Sequence, residues 1–402
     1  ADEDKNQDEL VNIVDDSKRG PDNTSELHAV NQEAERCYAE LKNWNNANMT
    51  YTRPSRLCNS NATVPVIFGY MHDTFGGNEN LHSSLTRKRH RRQFKWHAMV
   101  KGSPGRAWYS PATYVNNRIY CFGITNTRNE DDIPTSMDVH IFDCSTYSWS
   151  ISHHHENANI AHFPQWGYSA DNLGENIYIW GGCYNGSSCN NLYLYNTESD
   201  SWLKPVVSGS QPPAGWQHSS CIINNCIYTF AGSGTTDVHR LDLHSLSWCR
   251  LQTSGQPPTP RVYHTAVIIN QIMYVWGGCK PLSPTSEELN PDIYAFDTIN
   301  NIWSSIKCTK NTPISRRGHS AFVYKNEMYI FGGWSHVRNT NLNDLHVYNP
   351  STKKWREIKP LFTGPKPLEG HVSLVVGTKL FVVGGADRYV GTRGPIWILN
   401  MT

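Results

Sequence analysis

The chain has 402 residues, of which 38% are hydrophobic and 11% aromatic, including 14 Trp and 20 Tyr. The 36 basic and 35 acidic residues balance, so the overall charge does not favour a nucleic acid or a membrane surface as partner. Apolar runs stay far below the ~20 residues of a transmembrane helix. The abundance of aromatic residues favours an all-β protein with many turns.

Residues 1–94 are predicted to form a low-complexity, disordered extension. Residues 1–40 are acidic and polar, and residues 41–86 are rich in Asn, Ser and Thr, so the segment has too little apolar surface to offset the entropy of ordering. The basic run Arg87–Arg92 follows. It is either a nuclear-import, nucleic-acid or processing signal or a solvated linker, and both interpretations stay open.

From Trp96 to Thr402 the chain repeats, and this part is predicted to be a single domain over residues 95–402. Four kinds of position recur at an interval of about 50 residues, which is typical of propeller blades. Tryptophans recur at Trp96, Trp149, Trp202, Trp248, Trp303 and Trp355. Glycine pairs begin at Gly181, Gly277, Gly332 and Gly384, each three residues after an aromatic residue. Asp or Asn stands six residues before five of the tryptophans, at Asp143, Asn196, Asp242, Asp297 and Asn349.

Each repeat is predicted to contain four strands. In one of them the expected strands are Thr265–Ile269, Met273–Trp276, Ile293–Phe296 and Trp303–Ile306. Asp297 and its equivalents are expected to begin the third turn by accepting backbone hydrogen bonds. The large aromatic side chains are expected to fill the wedges between neighbouring blades.

This combination of repeats resembles the kelch family, and the resemblance covers all six repeats. It implies a six-bladed β-propeller. The last repeat has a third strand at Ile396–Asn400, whereas Lys95–Val100 is a single strand that contains a tryptophan of the fourth-strand type. We therefore predict that the N-terminal strand near Trp96 completes the last blade and leaves no open sheet edge.

A ligand site is predicted on one face of the propeller. Strands alternate in direction, so the loops that follow the fourth and second strands emerge on the same side, and such loops usually carry recognition. Aromatic and arginine side chains are enriched in binding hot spots, and adjacent arginines can hold a carboxylate through two parallel bonds. The candidate ligand-binding residues, expected on one rim, are Arg316, Arg317, Tyr263, Lys280, Trp216 and Trp334.

The histidines carry two further predictions. Four of them recur at one position of the repeat and are predicted to be structural, bonding to backbone between blades: His218, His264, His319 and His371. The run His153–His155 is either a metal site or, as we expect, part of a surface loop. We find no nucleophile–base pair, paired carboxylates or phosphate loop, so neither an enzyme activity nor a cofactor is predicted.

The eleven cysteines are odd in number and include no CxxC pair and no zinc-binding pattern. Several lie within apolar runs, where a free cysteine behaves as a small hydrophobic residue. We therefore expect free thiols in a reducing compartment. The expected location is the cytoplasm, and also the nucleus if the basic run acts as an import signal.

Three segments, Met137–Phe142, Ser208–Pro213 and Arg316–Phe322, resemble a kelch subgroup that consists of little but the propeller. Its members are substrate receptors of cullin-2 RING ubiquitin ligases that read C-terminal glycine degrons. The resemblance implies a protein or peptide ligand on the loop face, and contact with elongin and cullin-2 through a helix after the propeller. The subgroup holds the degron carboxylate with an arginine, for which Cys279 and then Lys280 stand here, and with a serine, for which Arg317 stands.

Three functions are open at this point. The first is a protein-recognition module, in its sharper form a substrate receptor of a cullin-RING ubiquitin ligase. The second is a cytoskeletal or chromatin-associated scaffold, because other kelch propellers bind actin or nuclear factors. The third is a metal-dependent propeller enzyme, for which a stoichiometric metal in the purified protein would be the sign.

Overall fold

The computed structural model describes residues 94–100, 111–124, 136–155, 162–230, 232, 234–280, 291–308, 311–386 and 395–402. Every regular element in these ranges is a β-strand, and no helix in them is long and apolar enough to cross a membrane. The predicted extension lies outside the described residues except for Phe94, and so does the basic run Arg87–Arg92. The predictions made for that segment therefore stay predictions.

The strands begin with β1 (Lys95–Val100). Blade 1 contains β2 (Ala112–Val115), β3 (Arg118–Ile124), β4 (Ser136–Asp143) and β5 (Ser148–His155). Blade 2 contains β6 (Ser169–Leu173), β7 (Asn176–Trp180), a short hairpin of β8 (Cys183–Tyr184) and β9 (Ser187–Ser188), then β10 (Leu192–Asn196) and β11 (Ser201–Leu203). Blade 3 contains β12 (Ser208–Gly209), β13 (Ser219–Ile223), β14 (Cys226–Phe230), β15 (Val238–Asp242) and β16 (Ser247–Arg250).

The remaining blades follow the same order. Blade 4 contains β17 (Ser254–Gly255), β18 (Thr265–Ile269), β19 (Ile272–Trp276), β20 (Ile293–Asp297) and β21 (Ile302–Ile306). Blade 5 contains β22 (Ser320–Tyr324), β23 (Glu327–Ser335), β24 (Thr340–Asn349) and β25 (Lys354–Ile358). Blade 6 contains β26 (Glu369–Val376), β27 (Lys379–Ala386) and β28 (Ile396–Asn400). The four strands predicted for blade 4 agree with these bounds to within one residue.

The blades form a closed ring, which confirms the predicted six-bladed propeller. The first strand of each blade is innermost: β2, β6, β13, β18, β22 and β26 contact one another in turn, and β26 contacts β2. Each blade is a separate antiparallel sheet. In blades 3 and 4 the short strands β12 and β17 add a parallel fifth strand on the outer edge. The inner strands therefore surround a central channel.

The N-terminal strand closes the last blade, as predicted. Strand β1 pairs antiparallel with β28, and the register joins Lys95 to Asn400 and Val100 to Ile396, with one bulge after Trp96. The sheet order β1-β28-β27-β26 makes β1 the outer strand of blade 6. The core also includes Phe94, one residue before the predicted start of the domain, which is buried and packs with Trp96 against blade 5.

The Asp and Asn positions begin turns, as predicted. The carboxylate of Asp297 accepts hydrogen bonds from the backbone N–H groups of Ile299 and Asn300, at 2.8 and 3.1 Å. Asp143 and Asp242 accept equivalent bonds in their own blades. Bonds from the Asn300 side chain and backbone hold the pKa of Asp297 below its ordinary value, because they favour the ionised form.

The aromatic residues fill the wedges between blades, as predicted. The residue just before the glycine position of one blade faces the fourth-strand tryptophan of the next. Phe122 lies 5.6 Å from Trp202 between ring centroids, Phe230 lies 5.1 Å from Trp303, and Phe331 lies 5.7 Å from Trp96. Because the same contact recurs at these three interfaces, a pair of large rings stabilises each of them.

The glycine pairs lie where two blades approach most closely. A Cβ added to Gly277 would lie 2.5 Å from Cε1 of His319 in the next blade, and one added to Gly278 would lie 2.8 Å from Cβ of His264 in the same blade. Both glycines also have positive φ, at 71° and 89°. The position therefore excludes a side chain on steric and conformational grounds.

Candidate ligand-binding face

One face of the propeller is built from pairs of loops tied together by backbone hydrogen bonds. In blade 5 the amides of Arg317 and Trp334 donate to each other's carbonyl oxygens, at 3.0 and 2.8 Å. In blade 4 Val262 and Cys279 form the same pair, at 2.9 Å in both directions. These bonds confirm that the two predicted sets of loops emerge on one side, which we call the loop face.

A cavity of about 220 Å³ opens on the loop face at the mouth of the central channel. All six blades contribute to its wall, with Pro111, Tyr168, Gln217, Tyr263, Gly318 and Gly370 as one member from each. The wall also includes imidazole and hydroxyl side chains from the starts of the inner strands, namely His264, His319, His371, Thr265, Ser320 and Ser373. The wall is therefore rich in hydrogen-bonding groups.

Five residues of this mouth form a chain of backbone hydrogen bonds, which we call the mouth ring: Gly167, Gln217, Tyr263, Gly318 and Gly370. The amide of each of the last four donates to the carbonyl oxygen of the member before it, over 2.8, 3.2, 3.0 and 2.8 Å in order. The chain links blades 2 to 6. Its members all have positive φ, at 73°, 54°, 58°, 59° and 66°.

Two members of the mouth ring are not glycines, and both carry a conformational cost. A left-handed backbone costs an ordinary L-residue roughly 1–2 kcal/mol, whereas glycine adopts it freely. Gln217 and Tyr263 hold φ values of 54° and 58° and keep side chains that line the cavity. Strained residues of this kind concentrate at functional sites.

Arg316 does not lie on the exposed rim where the sequence placed it. It is completely buried, and its Nη1 and Nη2 atoms bond to the two carboxylate oxygens of Asp344 at 2.5 and 3.0 Å. Its Nε atom donates to the carbonyl of Ile314 and Nη1 also donates to that of Gly332, both at 3.0 Å. The expectation of an exposed Arg316 is therefore wrong, because the fold itself occupies the guanidinium.

The carboxylate of Asp344 is shared between two basic side chains. His346 Nε2 lies 2.8 Å from Oδ2 of Asp344, the oxygen that also accepts a hydrogen bond from Nη2 of Arg316. Burial opposes ionisation of Asp344, but the hydrogen bonds from His346 and Arg316 and their charges outweigh it and hold the pKa well below its ordinary value. This triad connects the middle of strand β24 to the loop that precedes blade 5.

Trp216 is also not exposed on the rim. It has no accessible surface and packs edge-on between Trp166 and Tyr263, with ring centroids 5.1 and 5.7 Å away. The expectation that Trp216 lies on the rim is wrong, because the rings of Trp166 and Tyr263 enclose its indole. Trp216 acts as a support that fixes the ring of Tyr263.

Three other candidates lie together on the loop face. Arg317 is half-buried, and its guanidinium carbon lies 5.6 Å from the centroid of the Tyr263 ring. Trp334, half-buried as well, is joined to Arg317 by the two backbone bonds already described. A cation at this distance from an aromatic ring is attracted to its face. Arg317, Tyr263 and Trp334 therefore form a cluster beside the cavity mouth.

Lys280 is the last candidate, and it is half-buried. It follows Cys279, which is 2% exposed and paired through its backbone with Val262. The position at which the resembling subgroup has an arginine is thus a buried thiol here. A positive charge is present one residue later, on the same loop of blade 4.

The repeating histidines are structural, but their partners differ in part from the prediction. Nε2 of His264 lies 2.7 Å from the hydroxyl of Ser219, that of His319 lies 2.8 Å from Thr265, and that of His371 lies 2.9 Å from Ser320. For these three histidines the partner is a hydroxyl at the start of the preceding inner strand, and His371 also has the predicted kind of bond, to the backbone of Phe331 in the neighbouring blade. Neither ring nitrogen of His218 has a hydrogen-bond partner among the described residues. The inner strands stand close enough for this direct contact.

Burial keeps these histidines neutral. It lowers the pKa of His218 to about 3 and that of His371 to about 4. It also lowers the pKa of His264 and His319 well below the ordinary value, with the charges of Arg261 and Arg316 adding to the effect. The histidines of the cavity wall therefore offer hydrogen bonds without a positive charge.

The run His153–His155 lies on strand β5, not in a loop. His153 Nδ1 is 2.9 Å from a carboxylate oxygen of Asp138, and His154 Nε2 is 3.1 Å from one of Asp200. Alternation along the strand sends these neighbours to different partners. Within the described part of the chain, no group of three His, Cys, Asp or Glu side chains is arranged to hold a metal ion.

Gln217 lines the cavity but was not among the candidate ligand-binding residues chosen from the sequence. It stands directly before a repeating histidine, and glycine occupies the equivalent position in blades 2, 5 and 6. The contrast with those glycines was visible in the sequence. The positive φ of Gln217, which explains why glycine is favoured at this position, was not visible in the sequence.

Comparison with known proteins agrees with this architecture. The family model of the KLHDC2/KLHL20/DRC7 Kelch-repeats domain matches residues 167–385. The chain belongs to the kelch-repeat family. It is 31% identical to human Kelch domain-containing protein 3 over 309 residues, which cover 73% of this chain and 81% of that protein. The mouse protein of the same name is 30% identical over the same length.

Another relative, matched over a shorter part of the chain, is the host cell factor homolog hcf-1 of Caenorhabditis elegans. It is 32% identical over 248 residues, which cover 55% of this chain and 31% of that protein. With the closed ring of blades and the loop face, these similarities identify the chain as a kelch propeller, a protein-interaction module.

Proposed function

We propose that the loop face binds a C-terminal or acidic peptide segment of a protein partner, and that the propeller serves as a substrate receptor of a cullin-RING ubiquitin ligase. The observation that carries the peptide-binding part is the placement of Arg317. Its guanidinium lies half-buried against Tyr263, beside a cavity to which all six blades contribute. Arginine in such a position is suited to bind a carboxylate.

The charges around the mouth support an anionic ligand. Arg317 and Lys280 are basic and half-buried, whereas the histidines of the cavity wall are neutral because burial lowers their pKa. Glu369 opposes them, since it stands in blade 6 at the position that Arg317 takes in blade 5. Among the described residues named here, one carboxylate stands beside two cations, which favours an anionic ligand.

Peptide binding is tested with fluorescently labelled ten-residue peptides that end in glycine, measured by fluorescence anisotropy. Arg317→Ala should weaken binding by about 2 kcal/mol or more, which is roughly 30-fold, because the charge is lost from a partly buried site. Arg338→Ala is the matched control, since Arg338 is an exposed arginine in the turn that follows β23, the strand that contains Trp334. It should leave the affinity nearly unchanged.

Amidation of the peptide terminus tests which group is recognised. If the carboxylate is bound by Arg317, the amidated peptide should bind the wild-type protein as weakly as the free peptide binds Arg317→Ala. Equal binding of the free and amidated peptides would contradict carboxylate recognition. The less specific proposal, that the propeller binds a protein partner, would still stand.

The receptor part of the proposal needs its own test. Affinity purification with mass spectrometry should recover elongin and cullin-2 subunits with the chain if it serves a ubiquitin ligase. Recovery of actin or histones without those subunits would favour the scaffold function instead. The basic run Arg87–Arg92, on which the scaffold hypothesis depends, lies outside the described residues.

A further inference from the structure

The left-handed backbone of the mouth ring costs some of its five members more than others. Gly167, Gly318 and Gly370 satisfy the left-handed backbone at no steric cost, and they also carry the hydrogen bonds from blade to blade. The ring geometry therefore requires no side chain. Gln217 and Tyr263, in the adjacent blades 3 and 4, nevertheless keep large polar side chains at the same position, and both residues line the same cavity.

The neighbourhood holds both side chains in place. A Cβ on Gly167 would lie 3.1 Å from Cβ of Trp216 and 3.5 Å from Nε2 of Gln217, so the glycine leaves the space in which the Gln217 amide lies. The Tyr263 ring is fixed between the edge of Trp216 and the guanidinium of Arg317. Side chains held in this way lose little freedom when a ligand binds.

The Gln217 amide also carries an unused donor. Its Nε2 atom is buried, and it has no hydrogen-bond partner within the described part of the chain. A buried donor without a partner is costly to the free protein, and an acceptor supplied by a ligand removes that cost. This donor therefore gives a ligand with an oxygen at that position an advantage over one without it.

We infer that Gln217 and Tyr263 determine the specificity of the mouth by contacting the last residues of a peptide chain end that enters the central cavity. This inference rests on the proposed peptide-binding function. The cavity of about 220 Å³ is smaller than the 300–1,000 Å³ typical of sites that enclose a whole small molecule, so it fits a chain end with the rest of the peptide outside. Gln217 Nε2 donates to a carbonyl oxygen of that end, and the Tyr263 ring packs on its backbone.

The test uses Gln217→Gly and Tyr263→Gly in the full chain. Each variant removes the side chain and supplies the residue that the backbone conformation favours. A structural role predicts a lower melting temperature, whereas a ligand-contacting role predicts an equal or higher one together with weaker binding. Lys325→Gly is the matched control, because Lys325 has a φ of 50° in an exposed turn between β22 and β23, at the opposite end of the inner strands from the mouth.

The probe is an array of ten-residue peptides with free C-termini in which the last three residues are varied. We expect both mouth variants to melt no lower than the wild type. We also expect them to bind the preferred peptides more weakly, by a factor of up to about ten, and to discriminate less among the varied residues. Lys325→Gly should keep the wild-type ranking of peptides. Gln217→Asn, which retains an amide, should recover part of the selectivity.

The outcomes separate this inference from the function on which it rests. If the wild type binds peptides of the array and both glycine variants bind them with the same affinity and ranking, the inference is overturned and peptide binding stands. If the variants melt well below the wild type, the side chains are structural and the inference is again overturned. If the wild type binds no peptide of the array, the proposed function and the inference fail together.

Discussion

Replacing Trp96 with alanine should destabilise the whole propeller, because this side chain fastens the strand that closes the ring. Trp96 is 7% exposed and lies 5.7 Å from Phe331 and 6.2 Å from Trp397 between ring centroids. A Cβ on Gly364 would overlap its indole, so the space around it is filled. Truncating a buried aromatic residue to alanine costs about 3–5 kcal/mol.

That loss is large relative to the ~5–15 kcal/mol by which folded domains are usually stable. At about 2 °C per kcal/mol for a domain of this size, the melting temperature should fall by roughly 6–10 °C. Scanning calorimetry measures this change directly. His97→Ala is the control, because His97 belongs to the same strand and has an exposed side chain, and it should change stability by less than about 0.5 kcal/mol.

Two truncations extend the same test. A chain that lacks residues 1–90 keeps β1 and its buried residues, so it should unfold at the wild-type temperature in one cooperative transition. A chain that lacks residues 1–101 also loses β1 and leaves the edge of β28 unpaired. Equal melting temperatures for the two truncations, or for Trp96→Ala and His97→Ala, would refute the argument that the pairing and packing of β1 stabilise the closed ring.

Arg316→Ala should cost about 3–5 kcal/mol in urea unfolding, because it leaves Asp344 partly buried without its main partner; an unchanged midpoint would contradict the structural role. Acidification below about pH 6.5 should lower the free energy of unfolding, because the four repeating histidines take up protons only when the protein is unfolded. Each histidine contributes up to about 1.4 kcal/mol per pH unit. A free energy of unfolding that stays constant down to pH 5 would contradict the conclusion that these histidines are buried in their neutral form. Asp297→Ala should cost about 1 kcal/mol through the lost turn hydrogen bonds, with Asn300→Ala as a milder comparison. Replacing the basic residues of Arg87–Arg92 with alanine should move a fluorescent fusion from nucleus to cytoplasm if the run is an import signal.

The fold could be predicted from the sequence because each structural role recurs in several blades. Asp297 alone is a weak turn signal, but its recurrence at a fixed distance from a tryptophan identifies the third turn of the blade. Closure was predictable for a related reason. The last repeat lacked a fourth strand, and Trp96 stood in a strand without a blade.

The candidate site was less predictable because adjacent residues have opposite surroundings. Arg316 is buried against Asp344, which lies 28 residues away in the chain, while Arg317 faces Tyr263 on the loop face. No local pattern distinguishes the two arginines, since the distinction depends on which neighbour a loop brings near. The role of Gln217 likewise depends on a backbone angle that a sequence does not display.

The pairing of β1 with β28 has a consequence for how the chain is made. Lys95 leaves the ribosome long before its partner Asn400, so the closing strand must wait without a sheet while five blades are synthesised. Contacts between positions so distant in the chain form slowly, because the intervening loop must first be closed. Until then the apolar side chains of Phe94 and Trp96 and the edge of β28 are available to other chains. We therefore expect the last step of folding, rather than the assembly of any single blade, to be the step at which this protein most needs a chaperone.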